Sequence, residues 1–158
     1  MTMPQFAVGI DLGTACGWAV LDYATGKRLA SGTWDCSIRR GEGAGFRVIR
    51  LRGFLTELLK AYPGSVVFYE AIKRHLGTQS AHAYGELRGA LYGLLDAESI
   101  PYAGIPVGTI KREATGKGAA SKDAMIAAAY ERWQVETVDD NEADALWVAE
   151  TGRQGKTS

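Results

Sequence analysis

The stretch VGIDLGTACGWAVLD, residues 8–22, runs through apolar residues to a single aspartate, Asp11, then turns through Gly13 into a second apolar run. A lone carboxylate at the end of a strand built for burial needs a reason, because a charge withdrawn from water is costly unless something compensates it. Two chemistries use such a device. One is phosphate binding in actin-like and sugar-kinase-like ATPases; the other is metal-ion catalysis on nucleic acid. The remainder of the sequence has to choose between them.

The flanking segments set the architecture. Strands are expected at Phe6–Ile10, Trp18–Asp22 and Leu29–Trp34, the last two joined by the turn YATGKR, which makes an antiparallel meander. The polar loop CSIRRGEGAG leads into a helix with apolar positions Phe46, Ile49, Phe54, Leu55, Leu58 and Leu59, which stops at Pro63-Gly64. SVVFYEA reads as a strand buried on both faces, ending on Glu70. A long helix from Thr78 to Ser99, a brief strand in IPYAGIP, and a short helix or turn in VGTIK follow. Then come a glycine-punctuated basic loop, a helix N-capped by Ser121 that runs to Trp133, and a last helix from Asp140–Glu142 to Arg153. Three meandering strands followed by alternating helix and strand predict an α/β protein of ribonuclease H-like type: a mixed five-stranded sheet with helices on both faces. One domain is expected over residues 1–152, with 153–158 a frayed tail.

Composition narrows the function. Of the 158 residues, 46% are hydrophobic, and no apolar run approaches the roughly 20 residues of a membrane span. MTMPQFAVGI lacks the features of a signal peptide, so a cytoplasmic location is expected. Cys16 and Cys36 form no C-x-x-C pair and are read as reduced thiols. Eighteen basic and eighteen acidic residues balance, yet the balance is uneven along the chain. Residues 27–52 hold seven basic side chains against Asp35 and Glu42, and residues 131–144 hold six acids against Arg132. A charge-neutral total thus conceals a basic front and an acidic back.

Three acids sit where a strand or helix hands over to a loop: Asp11, Glu70 and Asp144, the last in DDNEADALWVA. Carboxylates brought together repel one another, and a divalent cation between them relieves that repulsion. An oxygen-only ligand set suits magnesium or manganese, and two such ions support phosphodiester hydrolysis. Asp140 and Asn141 precede Asp144 by four and three residues, so either shares a helical face with it. The structural alternatives are plain: Asp before Gly is common in turns, and Asp139, Asp140 and Asn141 are good helix caps. His75 and His82 have no further nitrogen or sulfur ligand near them in sequence, so a zinc site is not expected. In the long helix Ala81, Gly85, Gly89, Gly93 and Ala97 recur every four residues. Each interior glycine costs about 1 kcal/mol of helix stability, so a close neighbour is expected along that stripe, either the chain's own sheet or a second copy.

Five segments in order, GIDLGTACGWAVLD, VVFYEAI, YGELRGAL, GTIKREATGKGAASKDAM and DDNEADALWVA, resemble the RuvC-type Holliday junction resolvases, especially the compact phage-borne members, over residues 6 to 150. The resemblance implies a ribonuclease H-like homodimer that nicks branched DNA with magnesium or manganese, two ions per active site. On it Asp11, Glu70 and Asp144 take the catalytic, metal-binding roles, and the small-residue helix becomes the dimer helix. Lys111 and Lys122 match basic positions near the junction phosphates. Lys73 and Arg74, after Glu70, and Lys117, in the glycine-punctuated loop, are further candidates for DNA contact.

The chain departs from the family pattern at two places. Asn141 stands where the family commonly has Asp or His, which leaves either Asn141 or Asp140 to complete the metal site. The loop AIKRHLGTQSAH lacks the family's usual aromatic after the catalytic glutamate. Three other readings compete. An ATP-binding fragment is disfavoured by a chain too short for two such domains and by the absence of a second Asp-x-Gly phosphate motif. An RNA-processing nuclease of the same fold and a non-catalytic branched-DNA binder remain to be separated by substrate and by cutting.

Overall fold

The computed structural model describes residues 2–75, 77–137 and 139–158. Strands β1 (Phe6–Asp11), β2 (Ala15–Asp22) and β3 (Arg28–Asp35) form the antiparallel meander, and β4 (Ser65–Ala71) and β5 (Tyr102–Pro106) add to it in parallel. The order across the sheet is β3-β2-β1-β4-β5. β1 and β4 therefore lie side by side at the centre and end together, which puts Asp11 and Glu70 on neighbouring strand ends. Helices α1 (Phe46–Ala61) and α2 (Thr78–Ala97) follow β3 and β4; α3 (Val107–Thr115), α4 (Lys122–Trp133) and α5 (Asp140–Arg153) follow β5. The segment left open as a short helix or turn is the nine-residue helix α3.

The period-two alternation of β1 splits the core into two layers. Val8 and Ile10 pack with Leu51, Leu55, Leu87, Leu91 and Leu95 of α1 and α2, whereas Ala7 packs with the helices that follow β5. Cys16 and Cys36 are free and buried. Among the described residues no helix is long and apolar enough to cross a membrane.

The closest packing in the protein is that of α5 on the sheet. Ten of its fourteen residues are buried. A Cβ on Gly9 would lie 2.1 Å from the Ala145 carbonyl oxygen, and one on Gly17 would lie 1.9 Å from that of Asn141. These two glycines let the helix backbone rest directly on β1 and β2. Its N-terminus is tied to the edge strand. Asp139 caps the helix by accepting from the Glu142 N–H (3.0 Å) and also accepts from the Thr33 hydroxyl (2.8 Å), while Ser31 donates to Glu142 (2.8 Å).

Two expectations differ from what is observed, in α1 and in α2. In α1 the inward side is Leu51, Leu55 and Leu58, and Phe46, Ile49 and Phe54 are exposed, because the leucine side is the one that packs with α2 and the central strands. In α2 the buried residues are Tyr84, Leu87, Leu91 and Leu95, and a Cβ on Gly85, Gly89 or Gly93 would meet nothing within 4 Å. The chain's own sheet is therefore not what the smooth stripe approaches. At the C-terminus, Arg153 belongs to α5 and pairs with Glu150 (2.8 Å). The residues beyond it turn back, with the Lys156 N–H on the Thr151 carbonyl (3.2 Å) and its ammonium paired to Glu113.

Gly17→Ala should cost about 3 kcal/mol or more in a denaturant titration, since helix backbone rather than a movable side chain fills the space. A loss below about 0.5 kcal/mol would mean that α5 does not rest on β2 as described.

Candidate metal centre

Asp11 and Glu70 are buried and Asp144 half-buried, and one carboxylate oxygen from each lies within 4.8 Å of the others. Three elements supply them: β1, β4, and the second turn of α5 where it crosses the sheet. Among the described residues this is the one grouping of three or more acids, histidines or cysteines close enough to share an ion. Burial, followed by the charges of Glu70 and Asp144, holds the Asp11 carboxyl well above the usual carboxylate range. Asp144 is pushed up to about 7, by burial first and then by Glu70 and Asp140, against the opposing pull of Lys111 and Lys122. Such a site repels its own negative charge. The donor set is all oxygen, convergent and withdrawn from water, and so fits a hard divalent cation that would reverse this destabilisation.

The other candidates divide by placement. Lys111 on α3 and Lys122 at the start of α4 are close enough to act on Asp144 electrostatically, and Lys122 pairs with Asp140 at 3.4 Å. Asp140 adds negative potential at both Asp11 and Asp144 while held by that lysine. Asn141 lies one turn before Asp144, with its backbone against Gly17. Lys73 and Arg74 are exposed on the connection that follows β4, and Lys117 is exposed between α3 and α4. His75 packs its ring against Tyr84, 5.0 Å between centroids, and His82 is exposed. Neither belongs to the metal-type cluster.

One contact to the Glu70 strand end is visible only in the structure. The Tyr84 hydroxyl, on α2, donates to the Glu70 carbonyl (2.9 Å) and accepts from the Ile72 N–H (3.2 Å). It bridges the two backbone groups on either side of Ala71 and thereby fixes the strand end from which Glu70 projects. Tyr84 opens YGELRGAL, one of the segments that carry the resemblance, but a tyrosine among helix apolar positions reads as core and nothing in that segment announces its bond to the Glu70 strand end.

Two curated relatives cover nearly the whole chain. The crossover junction endodeoxyribonucleases RuvC of Synechococcus sp. strains WH7803 and CC9311 are 30% and 29% identical over 151 and 154 residues, spanning 92% of this chain and 96% of each relative. The chain belongs to the RuvC family. No family model matches it. Among solved structures, Thermus thermophilus RuvC in complex with Holliday junction substrate superposes with a TM-score of 0.83 at 22% identity, over 98% of both chains. A second T. thermophilus RuvC structure gives 0.78 at 21% identity, over 97% of this chain and 98% of that one. The yeast mitochondrial Holliday junction resolvase gives 0.66 at 14%, over 99% of this chain and 81% of that one. The mixed sheet is accordingly the RuvC fold, of the ribonuclease H-like class expected from the strand order.

Two outcomes follow from the geometry. Asp11 and Asp144 have folded-state pKa values above their unfolded ones, so the metal-free fold is favoured when they are protonated and loses stability as pH climbs from the ordinary carboxylate range through about 7. The melting temperature in chelator should fall between pH 5 and pH 8, recover at pH 8 with millimolar magnesium, and vary less in Asp144→Asn. A flat profile in chelator would contradict the shared burial of these acids. Tyr84→Phe should keep the fold, at a cost of about 1 kcal/mol, and lower kcat for phosphodiester cleavage about tenfold with little change in KM. Unchanged kcat would show that the strand end holds itself.

Proposed function

We infer that the protein is a metal-dependent endonuclease that resolves Holliday junctions and related branched DNA. The observation that carries this reading is the buried Asp11–Glu70–Asp144 cluster, set at the strand ends of a RuvC fold with Lys111 and Lys122 beside it. Asp11, Glu70 and Asp144 would hold the ions, with Asn141 or Asp140 completing the set. Two magnesium or manganese ions held there would neutralise the attacked phosphate and lower the pKa of a water.

The chain's own groups then do three things. The carboxylates would hold the cations against which the phosphodiester is oriented for in-line attack by water; the P–O3′ bond breaks, leaving a 5′-phosphate and a 3′-hydroxyl. Lys111 and Lys122 counter the phosphate charge from the side of α3 and α4, and Lys73, Arg74 and Lys117 extend the cationic track along the strands. Tyr84 keeps Glu70 in register.

Resolution needs two nicks in strands of like polarity, hence two sites related by an axis. The glycine stripe of α2 supports a homodimer: it is open in this chain, and a second copy approaching along it would recover the roughly 3 kcal/mol that three interior glycines cost.

A labelled immobile four-way junction and a matched linear duplex, each with magnesium, manganese or chelator, test the reading. Paired nicks on the junction alone are expected, with a hundredfold or greater loss (about 2.7 kcal/mol) in Asp11→Asn. Tight junction binding without cutting in either metal would leave a binding protein, and preference for RNA would leave an RNA-processing nuclease. Asn141→Asp should lower the metal concentration for half-maximal nicking, because a charged carboxylate replaces a neutral amide. An unchanged requirement would assign the second position to Asp140.

A further inference from the structure

Five of the seven large hydrophobic side chains exposed among the described residues, Leu29, Ile38, Phe46, Ile49 and Phe54, fall on β3, α1 and the loop between them. Ile49 and Phe54 lie on the sheet face opposite α5, which the metal centre does not use. Within it Trp18, Trp34 and Phe54 form a ladder of near-parallel rings. Trp18 and Trp34 are 5.4 Å apart at 15°, and Trp34 and Phe54 are 5.4 Å apart at 11°. The inner end is closed by Gly32, where a Cβ would lie 3.1 Å from the Trp18 indole nitrogen. The outer rung, Phe54, is 38% exposed and borders a groove of about 690 Å³ that Ile49 and Arg50 also line.

The surroundings say what kind of molecule fits. Arg50 donates to the Ser37 carbonyl (2.8 Å) and pairs with Glu42, which folds the loop of residues 37–42 against the groove. Arg39 and Arg40 are exposed on that loop and make no ion pair among the described residues. The loop also joins the metal centre. The Cys36 N–H donates to the Thr14 carbonyl (2.7 Å), three residues after Asp11, and β3 lies two strands, about 10 Å, from β1. A stack of flat aromatic rings in a groove whose one acid is Glu57, next to a loop that carries the exposed Arg39 and Arg40, matches a polyanion that carries flat aromatic groups. An apolar peptide would need the rings but not the arginines.

We propose that this face is a single-stranded DNA platform: an unpaired strand leaving the branch point passes the Thr14 turn, sets its phosphates on Arg39 and Arg40, and stacks a base on Phe54. This deepens the junction-nuclease reading and rests on it, since it adds a single-stranded arm to the substrates the site accepts.

The tryptophans make the test direct. The intact protein, in chelator so that nothing is cut, is titrated with a fifteen-nucleotide oligothymidylate while tryptophan emission is read. Trp18 and Trp34 sit in the ladder, and Trp133 and Trp147 pack together on the other face as background. Quenching is expected, with affinity about tenfold weaker in Phe54→Ala and in the Arg39→Glu/Arg40→Glu pair, neither of which removes a tryptophan. Circular dichroism and unchanged nicking of a fully duplex four-way junction serve as the controls for fold and metal centre. Junctions carrying a single-stranded arm should lose their advantage in the same variants. No quenching, or quenching that Phe54→Ala leaves intact, would overturn the proposal. So would a dimer that Phe54→Ala dissociates in sedimentation, because the face would then be a subunit interface. Failure of the wild type to nick any junction would sink the nuclease reading instead, whatever the titration shows.

Discussion

The contact between the α5 backbone and the glycines beneath it is the constraint on which the rest depends. A helix packed on a sheet through ordinary side chains stands about 10 Å off it. At Gly9 and Gly17 there is no Cβ to hold α5 away, and the carbonyls of Ala145 and Asn141 occupy that space. Asp144 is thereby delivered to two acids that neighbouring strands already place together. The arrangement is unfavourable on its own terms, since burial and mutual repulsion push two of the carboxyls upward. The small-residue interface, the Asp139 cap and the hydroxyls of Ser31 and Thr33 oppose that tendency by anchoring the helix at its start.

Each face of the sheet has its own task. The α3–α5 face carries the carboxylates and the two lysines that act on them. The α1–α2 face carries the leucine core, the Tyr84 bridge to the Glu70 strand end, the open glycine stripe and the aromatic ladder. Tyr84 is the physical link between them: it is anchored among the α1–α2 core residues yet bonds the backbone that carries one acid of the cluster. A change in how α2 sits, for instance on meeting a second copy, would be felt at Glu70 through that one hydroxyl.

Sequence reasoning succeeded wherever the determinant was local. Continuous apolar runs gave β1 and β4, Pro63-Gly64 ended the region of α1, and Ser121 caps α4 through the Ala124 N–H (3.2 Å) as its type and position suggested. It failed where the determinant lay in another element. Phe46, Ile49 and Phe54 satisfy helical spacing as well as Leu51 does, and only the packing of α1 with α2 and the central strands decides that the leucines turn inward. The α2 glycines announce a close approach without saying to what.

What the sequence determined by itself was the kind of chemistry and the order of the elements. Acids that end buried runs call for something to compensate their charge, and three early strands followed by alternating helices leave few ways to pair. What only the tertiary structure decided was proximity. Residues 11, 70 and 144 share a site because parallel pairing of β1 with β4 aligns two strand ends and two glycines admit the third element. Tyr84 bonds the backbone at Glu70 for the same reason, its hydroxyl being placed there by packing. Distances between segments far apart in the chain come from how faces pack, and a one-dimensional pattern records the faces but not their meeting.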